Sequence, residues 1–191
     1  MTARRPPEAA PTAGPRLVGL APVVAPHTRV LVLGSFPGAA SLRLQQYYAH
    51  PHNHFWRILQ ALWPAQPLPG ADQYAARCDW LLARGLGLWD LYAACEREGS
   101  LDSAIAPESV VVNGIDALLR RHPGLRVVAL NGGTAARLFQ RHVAPRLDER
   151  AATLRVLALP STSPAHAARS LAQKLAAWRA LPEAMGADGC A

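Results

Sequence analysis

The chain has 191 residues, of which half are hydrophobic and 17% are charged. This length suits one domain with a sizeable core, and this composition excludes a mainly disordered protein. Lysine and arginine outnumber aspartate and glutamate by 20 to 13, and the resulting net charge of +7 favours a polyanionic partner, with nucleic acid first.

The two ends of the sequence differ from its middle. Residues 1–15 are rich in proline and alanine, and 183–191 follow the last apolar pattern. We therefore predict loose tails around a single domain of residues 16–182. The sequence shows neither a secretory signal nor a run of about 18 apolar residues, which predicts a cytoplasmic protein with no membrane partner.

Four short apolar runs predict buried strands, at Val30–Leu33, Gly87–Leu91, Val127–Leu130 and Leu154–Leu159. Helical periodicity lies between and after them, at residues 55–62, 74–82, 115–119, 135–143 and 165–181. This alternation predicts an α/β fold, a three-layer α/β/α sandwich with a central, mainly parallel four-stranded sheet. Ligands of such sheets lie beyond the carboxyl ends of the strands, which points to the segments after Leu33, Leu91 and Leu159.

The segment after the first strand reads Gly34-Ser35-Phe36-Pro37-Gly38. Its glycines let backbone N–H groups approach an anion or a flat ring, although an ordinary tight turn has the same composition. The spacing is neither that of a nucleophile elbow nor that of a P-loop.

The next segment, YYAHPHNHFW at 47–56, joins adjacent tyrosines to alternating histidines and one amide. Aromatic faces that stack on bases, with imidazoles near phosphates, suit nucleic acid. Alternatively, His50, His52 and His54 are metal ligands, but Pro51 interrupts an extended strand and no acidic cluster lies nearby. Asn53 has its own alternative, an N-terminal cap for the helix that begins at Phe55.

The three cysteines, Cys78, Cys95 and Cys190, are too few and too widely spaced for a metal site. One chain with three cysteines cannot hold a four-cysteine iron–sulfur cluster. We therefore predict no iron–sulfur cluster and interpret the three cysteines as ordinary buried or tail thiols.

Two later segments also carry polar residues next to a strand. Asp90 closes the apolar run GLWDL, and burying its carboxyl is costly unless it has a partner, so it is either a helix cap or a site residue. The segment LPSTSPAH, residues 159–166, offers hydroxyl groups and amides before the last helix. It suits a phosphate site, and equally a plain helix cap.

Taken in order, GSFPG, YYAHPHNHFW, GLWDL, LPSTSPAH and the final helix resemble the uracil-DNA glycosylase superfamily. The sequence is most similar to its hypoxanthine-DNA glycosylase branch (family 6, DNA-deoxyinosine glycosylase). GSLDSAI (Gly99–Ile105) and ALNGGTAARLF (Ala129–Phe139) resemble that branch as well. The resemblance covers residues 17–181 and implies a uracil-DNA glycosylase-like fold that excises a damaged base from DNA without metal or cofactor.

The resemblance also assigns a catalytic residue. Related branches have a carboxylate or amide at the third place of the loop after the first strand, where this chain has Phe36, which cannot orient water. The hypoxanthine branch shares this feature, and its essential amide falls on Asn53. A local departure is that His52 and His54 stand where the branch more often has arginine; protonation near a polyanion restores their phosphate contact.

A base inside a duplex must be flipped out before it can react. By its position in the family, Tyr48 stacks on the flipped base, and Phe36 and Ser35 line the same pocket. Asp90 accepts a hydrogen bond from N1–H of hypoxanthine and repels the N1 lone pair of adenine. Asn131 is a second residue for the base edge, unless it caps the following helix. The predicted DNA contacts are His50, His52, Ser161, Thr162, Ser163 and His166.

The predicted reaction is hydrolysis by a monofunctional glycosylase. Asn53 either polarises water through its carbonyl or donates from its NH₂ group to the leaving base. A lyase needs an amine, and the single lysine of the sequence, Lys174, lies in the last helix.

Three alternatives remain open. The first is a mismatch-type uracil or xanthine glycosylase. The second is a serine hydrolase, although the nucleophile-elbow spacing is missing. Its nucleophile would be Ser35 or Ser161, its base His50 or His166, and the residue that orients the base Asp90. The third is a non-catalytic nucleic-acid-binding module. We expect a monomer in each case.

Overall fold

The computed structural model describes residues 15–147 and 153–186. Its strands are β1 (Arg16–Val18), β2 (Val30–Gly34), β3 (Leu86–Asp90), β4 (Tyr92–Glu96), β5 (Val111–Val112), β6 (Val127–Asn131) and β7 (Arg155–Leu159). Its α-helices are α1 (Ala39–Leu44), α2 (Phe55–Leu62), α3 (Tyr74–Leu82), α4 (Ile115–Arg121), α5 (Gly133–His142), α6 (Leu171–Trp178) and α7 (Ala180–Gly186). Single turns of 3₁₀ helix lie at Asp102–Ala104, Pro107–Ser109 and Ala144–Arg146.

The main sheet has the order β3-β2-β6-β7, and all of its neighbouring strands are parallel. The predicted α/β fold with a four-stranded parallel sheet is confirmed, and each predicted strand coincides with an observed one to within one residue at either end. Because the strands are parallel, their carboxyl ends meet at one edge. Gly34 lies beside Asp90 at that edge, where β2 pairs with β3.

Helices cover both faces of this sheet, which explains why its strands read as continuous apolar runs. Side chains alternate across a strand, so Val30 and Val32 face one layer while Leu31 and Leu33 face the other. The first layer holds α2, α3, α6 and α7, and the second holds α4 and α5. The parallel sheet is thus the middle of three layers.

A second, antiparallel sheet with the order β1-β4-β5 was not predicted. Its strands are short, and β4 follows β3 after the single residue Leu91, so the two strands read as one apolar stretch in the sequence. Phe36, Tyr92 and Cys95 form a small apolar core against this sheet. Cys95 is buried there and free, Cys78 is also free, and Cys190 lies outside the described residues.

The predicted helix at 165–181 begins too early. Helix α6 begins after Ser170, whose Oγ accepts from Gln173 N–H at 3.3 Å while Gln173 Oε1 accepts from Ser170 N–H at 2.9 Å. This capping box fixes the helix start, because it satisfies N–H groups that lack a partner within the helix.

The C-terminal tail predicted from residue 183 is also wrong at its start. Helix α7 extends to Gly186, because Leu181 and Ala184 are buried in the core of the first layer. The rest of that tail, and the N-terminal tail up to residue 14, lie outside the described residues. Within the described ranges, no helix has the length and apolar character needed to cross a membrane.

Candidate active site

A cavity of about 490 Å³ opens at the carboxyl ends of the parallel strands. All the residues that the sequence predicts for the site line this cavity, except His52. Those that line it are Ser35, Phe36, Tyr48, His50, Asn53, Asp90, Asn131, Ser161, Thr162, Ser163 and His166. The place is the one expected for the ligand of a parallel sheet.

Asp90 ends strand β3 and is 4% exposed. Its Oδ1 lies so close to Gly34 that a Cβ on that residue would collide with it, so only glycine leaves room for the carboxyl. Its Oδ2 has no hydrogen-bond partner among the described residues. Burial, followed by the nearby charge of Asp102, raises the pKa of Asp90 to about 7, and Arg97 opposes the rise. Near neutral pH, this carboxyl is therefore present in both protonation states.

Tyr48 has a left-handed backbone with φ of 55°, a conformation that costs an L-residue about 1–2 kcal/mol. The residue before it is fixed, because Tyr47 N–H donates to the Tyr74 hydroxyl at 3.0 Å. The Tyr48 ring stacks on Phe55, with centroids 3.9 Å apart and planes tilted by 25°. Because Phe55 covers one face of the Tyr48 ring, a ligand can stack only on the opposite face.

The Tyr48 hydroxyl is buried without a hydrogen-bond partner in the described part of the chain. Burial raises its pKa, the charge of Asp90 adds to the rise, and Asn131 beside it opposes it. Orphaned buried polar groups are rare in folded proteins, so each one asks for an explanation. Tyr48 and Asp90, which both line the cavity, thus each carry a buried polar atom that lacks a partner among the described residues.

Two side chains of the loop after β2, Phe36 and Ser35, contact different parts of the protein. Phe36 is buried against Tyr92 and Cys95, and the guanidinium carbon of Arg97 lies 4.9 Å from its ring centre. Ser35 instead donates from Oγ to Asp102 Oδ2 at 2.7 Å. Phe36 therefore contributes an apolar wall to the cavity, and Ser35 fixes a carboxylate there.

Asn53 lies just before His54, the N-cap of helix α2, and also faces the cavity. Its Oδ1 accepts from Phe55 N–H at 3.0 Å, and its own N–H donates to the His50 carbonyl at 2.8 Å. A backbone N–H can only donate, so the atom that accepts from Phe55 is the amide oxygen. The Nδ2 group is left without a partner among the described residues. Asn53 is therefore not the N-cap, but its amide oxygen accepts from the first N–H of the helix while its Nδ2 remains a free donor.

Asn131 holds the loop that follows β7. Its Nδ2 donates to Thr162 Oγ1 at 3.0 Å, and its Oδ1 accepts from Thr162 N–H at 2.9 Å. It does not cap α5, whose N-cap is Gly132 without a side-chain bond. The predicted helix cap is therefore wrong for Asn131, and this pair of bonds favours a positioning role over contact with a base.

Further hydrogen bonds hold the loop that follows β7 in place. Lys174 is 1% exposed, and its Nζ donates to the Ser163 carbonyl at 3.3 Å. His54 N–H donates to the Thr162 carbonyl at 3.0 Å, so the start of α2 and this loop are joined. Ser161 Oγ accepts from Ser163 N–H at 3.2 Å, which makes a tight turn at the rim of the cavity.

The three histidines before α2 point to different surroundings. His50 Nδ1 accepts from His52 N–H at 3.2 Å, and His52 is exposed and outside the cavity. The Nδ1 of His54 is buried without a partner in the described ranges. Burial, followed by the charges of Lys174 and Arg57, lowers the pKa of His54. The described residues include no group of three or more histidines, cysteines, aspartates or glutamates placed to hold a metal.

The serine hydrolase alternative has no geometric support. The Ser35 hydroxyl bonds to Asp102, and the Ser161 hydroxyl bonds to Ser163 N–H. Neither serine has a histidine partner within residues 15–147 and 153–186.

Comparison with known proteins gives a consistent result. The pattern of the family described as Uracil DNA glycosylase superfamily matches residues 21–182. A hypoxanthine DNA glycosylase of Methanosarcina barkeri is 39% identical over 114 residues, 60% of this chain and 70% of that protein. A hypoxanthine DNA glycosylase of Methanosarcina acetivorans is 37% identical over 117 residues, 61% of this chain and 72% of that protein. The solution NMR structure of a candidate uracil DNA glycosylase from Methanosarcina acetivorans has a TM-score of 0.68 at 32% identity and covers 87% of this chain and 99% of that chain.

The family match begins before β2, ends within α7 and includes every residue that lines the cavity. The chain belongs to the uracil DNA glycosylase superfamily. It is a DNA glycosylase, a hydrolase that acts on N-glycosyl bonds.

Sequence reasoning missed several residues of this glycosylase's cavity. Ser100 and Asp102 enter from the loop after β4, and Arg137 enters from α5. The similarity of GSLDSAI to the family was a signal for the first two, but nothing in the sequence placed that loop beside β2. Lys174 was assigned only to the last helix, and its contact with the Ser163 carbonyl depends on the tertiary fold.

Proposed function

We propose that this glycosylase removes hypoxanthine from DNA and leaves an abasic site for base excision repair. The observation that carries the proposal is Asp90, a buried carboxyl whose Oδ2 lacks a hydrogen-bond partner among the described residues of the cavity wall. The two relatives named hypoxanthine DNA glycosylase support the same substrate.

Asp90 distinguishes hypoxanthine from adenine by its charge. Hypoxanthine presents N1–H, a donor, and the ionised carboxylate accepts from it. Adenine presents a bare N1 acceptor at the same place, so when Asp90 is ionised this lone pair faces a carboxylate that has nothing to donate. The protonated form, which dominates below a pKa of about 7, can donate to N1, so the discrimination belongs to the ionised form. Leaving two such acceptors opposed in a buried site is costly, which is how a site built for one hydrogen bond rejects an analogue.

The flipped base lies against Tyr48, between that ring and the apolar wall of Phe36. Stacking on an aromatic ring contributes about 1–3 kcal/mol per base. The left-handed backbone of Tyr48 and its contact with Phe55 fix the ring before the base arrives. The site is therefore organised in advance, and binding does not have to order it.

Asn53 acts on the leaving group through its free Nδ2. Hydrolysis places positive charge on the sugar and negative charge on the departing base, and a fixed donor stabilises that negative charge. The Oδ1 is already bonded to Phe55 N–H, so the amide orientation is set before the substrate binds.

The reaction stops at the abasic site because no lysine amine within the described residues is available for a Schiff base. Lys174 is the single lysine of the sequence, and its Nζ is buried beneath the Ser163 carbonyl. The enzyme is therefore a monofunctional hydrolase.

The DNA strand lies along the rim formed by the Ser161–His166 loop and the first turn of α5. Arg137 and His166 line the cavity there, and the N–H groups at the start of α5 suit a phosphate. His50 extends this rim, while His52 contacts phosphate from outside the cavity. We propose that the protein acts as a cytoplasmic monomer.

Uracil and xanthine are the second candidate substrates, because each also presents an N–H group from which Asp90 can accept a hydrogen bond. The test is release of free base from duplexes that contain one hypoxanthine, uracil or xanthine, identified by mass spectrometry. We expect hypoxanthine to be released fastest. Release of uracil or xanthine alone would show that this base, and not hypoxanthine, is the substrate. DNA binding without release of any base would contradict the proposal.

A further inference from the structure

Hydrolysis requires a group that takes a proton from water, and Asn53 cannot be that group. An amide does not accept a proton at neutral pH. Among the described residues that line the cavity, the carboxylates are Asp90 and Asp102. Asp90 is buried and serves the base edge in the proposed function, so Asp102 remains.

Asp102 has the geometry of a fixed carboxylate with one free oxygen. It begins a single 3₁₀ turn, and its Oδ2 accepts from Ser35 Oγ at 2.7 Å. Its carboxylate has no second hydrogen bond to a described residue, and the ion pair found within the described ranges joins Arg120 to Asp116 instead. The side chain is partly exposed on the cavity wall, so water reaches it.

The loop that carries Asp102 is anchored to the other side of the cavity. Ser100 Oγ accepts from Ala39 N–H at 3.0 Å, at the start of α1. Two hydroxyl contacts, at Ser100 and at Ser35, thus hold the loop against the segment after β2. A reacting group has to be held in this way, because a small misplacement lowers the rate steeply.

We infer that Asp102 is a catalytic residue, the carboxylate that orients the attacking water and accepts its proton. This inference rests on the proposed function. As the C1′–N9 bond breaks, its electron pair leaves with hypoxanthine, and the water oxygen bonds to C1′. The water proton passes to the free Asp102 oxygen, and solvent later protonates the departed base.

The experiment measures single-turnover release of hypoxanthine from a deoxyinosine duplex by the full chain. Asp102→Asn keeps an oxygen that accepts from Ser35 but removes the proton acceptor, and we expect a rate about 100-fold lower with unchanged affinity for the duplex. Asp102→Gly should be equally slow, and added formate should raise its rate, because a small carboxylate can occupy the vacated space. Glu98→Gln, the same charge change at an exposed residue of the same loop, should keep the wild-type rate.

An Asp102→Asn enzyme close to the wild-type rate would overturn the role of Asp102 and leave the proposed function standing. So would an Asp102→Gly enzyme that binds the duplex normally and gains nothing from formate. Release of no base by the wild type would instead overturn the proposed function, and the role of Asp102 with it.

Discussion

The two walls of the cavity satisfy their polar groups differently. On the wall formed by the ends of β2 and β3, Asp90 Oδ2 and the Tyr48 hydroxyl next to it lack partners in the described part of the chain. On the wall formed by β6 and the Ser161–His166 loop, Asn131, Thr162 and Ser163 are bonded to one another or to Lys174.

This contrast teaches where recognition takes place. Polar groups that are fully bonded hold a loop in shape, whereas buried groups without partners are costly and persist where a ligand completes them. We therefore propose that the first wall recognises the base and that the second wall positions the DNA strand. His54 Nδ1 is the exception, since it is unpartnered and lies beneath the second wall.

Asn53 provides the sharpest test of the contrast, because one end of its amide is bonded and the other is free. Asn53→Ala should lower the hydrolysis rate by about 100- to 1000-fold, since a donor to the leaving group is lost. It should also cost about 1 kcal/mol of stability, since the hydrogen bond from Phe55 N–H at the start of α2 is lost. Single-turnover kinetics and urea unfolding measure the two effects separately.

Asn53→Asp separates the two ends of the amide within one variant. An aspartate keeps the oxygen that accepts from Phe55 N–H, so stability should be preserved, but it cannot donate to the base. We expect a stable, inactive enzyme. An active Asn53→Asp enzyme would show that the free Nδ2 has no part in catalysis.

Asp90 should reduce stability at neutral and alkaline pH. Its folded pKa is about 7 against an ordinary 3.8, so the folded state holds the proton more tightly and stability falls as pH rises between these values. Above the folded pKa, Asp90→Asn should therefore stabilise the protein by up to about 4 kcal/mol, a gain that vanishes below the unfolded pKa. Urea unfolding at several pH values measures it, with the exposed Asp79→Asn as control. A gain independent of pH would contradict a raised pKa.

Gly132 tests the packing of the second wall. Its φ is 106°, and an added Cβ would lie 2.8 Å from Ser161 Cβ, so Gly132→Ala should cost about 1–3 kcal/mol and displace the loop. Gly133→Ala is the matched control, because its Cβ would meet only the Arg137 guanidinium, at 3.6 Å. Thermal unfolding and affinity for DNA report the two consequences. Equal stability of the two variants would indicate that the close approach is unimportant.

The smallest effect is expected at Arg137, on the rim of the second wall. Arg137→Ala should weaken binding of damaged and undamaged duplexes alike, and the slope of log affinity against log salt should fall by about 1. Arg121 lies at the end of α4 that leads into β6, and so at the opposite edge of the sheet. Arg121→Ala should therefore leave that slope unchanged. A loss confined to the deoxyinosine duplex would assign Arg137 to the base instead.

The parallel sheet was predictable because four apolar runs separated by helical periodicity leave few other arrangements. The cavity was predictable for the same reason, since parallel strands bring Gly34, Asp90 and Asn131 to one edge. The antiparallel sheet was not, because strands as short as Val111–Val112 give no periodic signal. Asp102 was missed because it lies 67 residues from Ser35 in the sequence. Only the second sheet brings the two side chains together.

Orientation of side chains was also beyond the sequence. In the sequence, Asn53 and Asn131 are both amides beside a strand or helix. Only the fold shows that Phe55 N–H bonds to the amide oxygen of Asn53, whereas Thr162 bonds to both the oxygen and the nitrogen of the Asn131 amide. The sequence suggested a helix cap for each, but the N-caps are His54 and Gly132, and only Asn53 bonds to an N–H of the helix that follows it.

The most direct measurement compares wild type with Asp90→Asn on two duplexes, one with a single deoxyinosine and one with adenine at the same position. If the buried carboxylate reads N1–H, wild type should strongly prefer hypoxanthine, and Asp90→Asn, which can both donate and accept, should lose at least about tenfold of that preference. A variant that retains the full preference would contradict the account, because the unpartnered oxygen of Asp90 would then have no part in choosing the base.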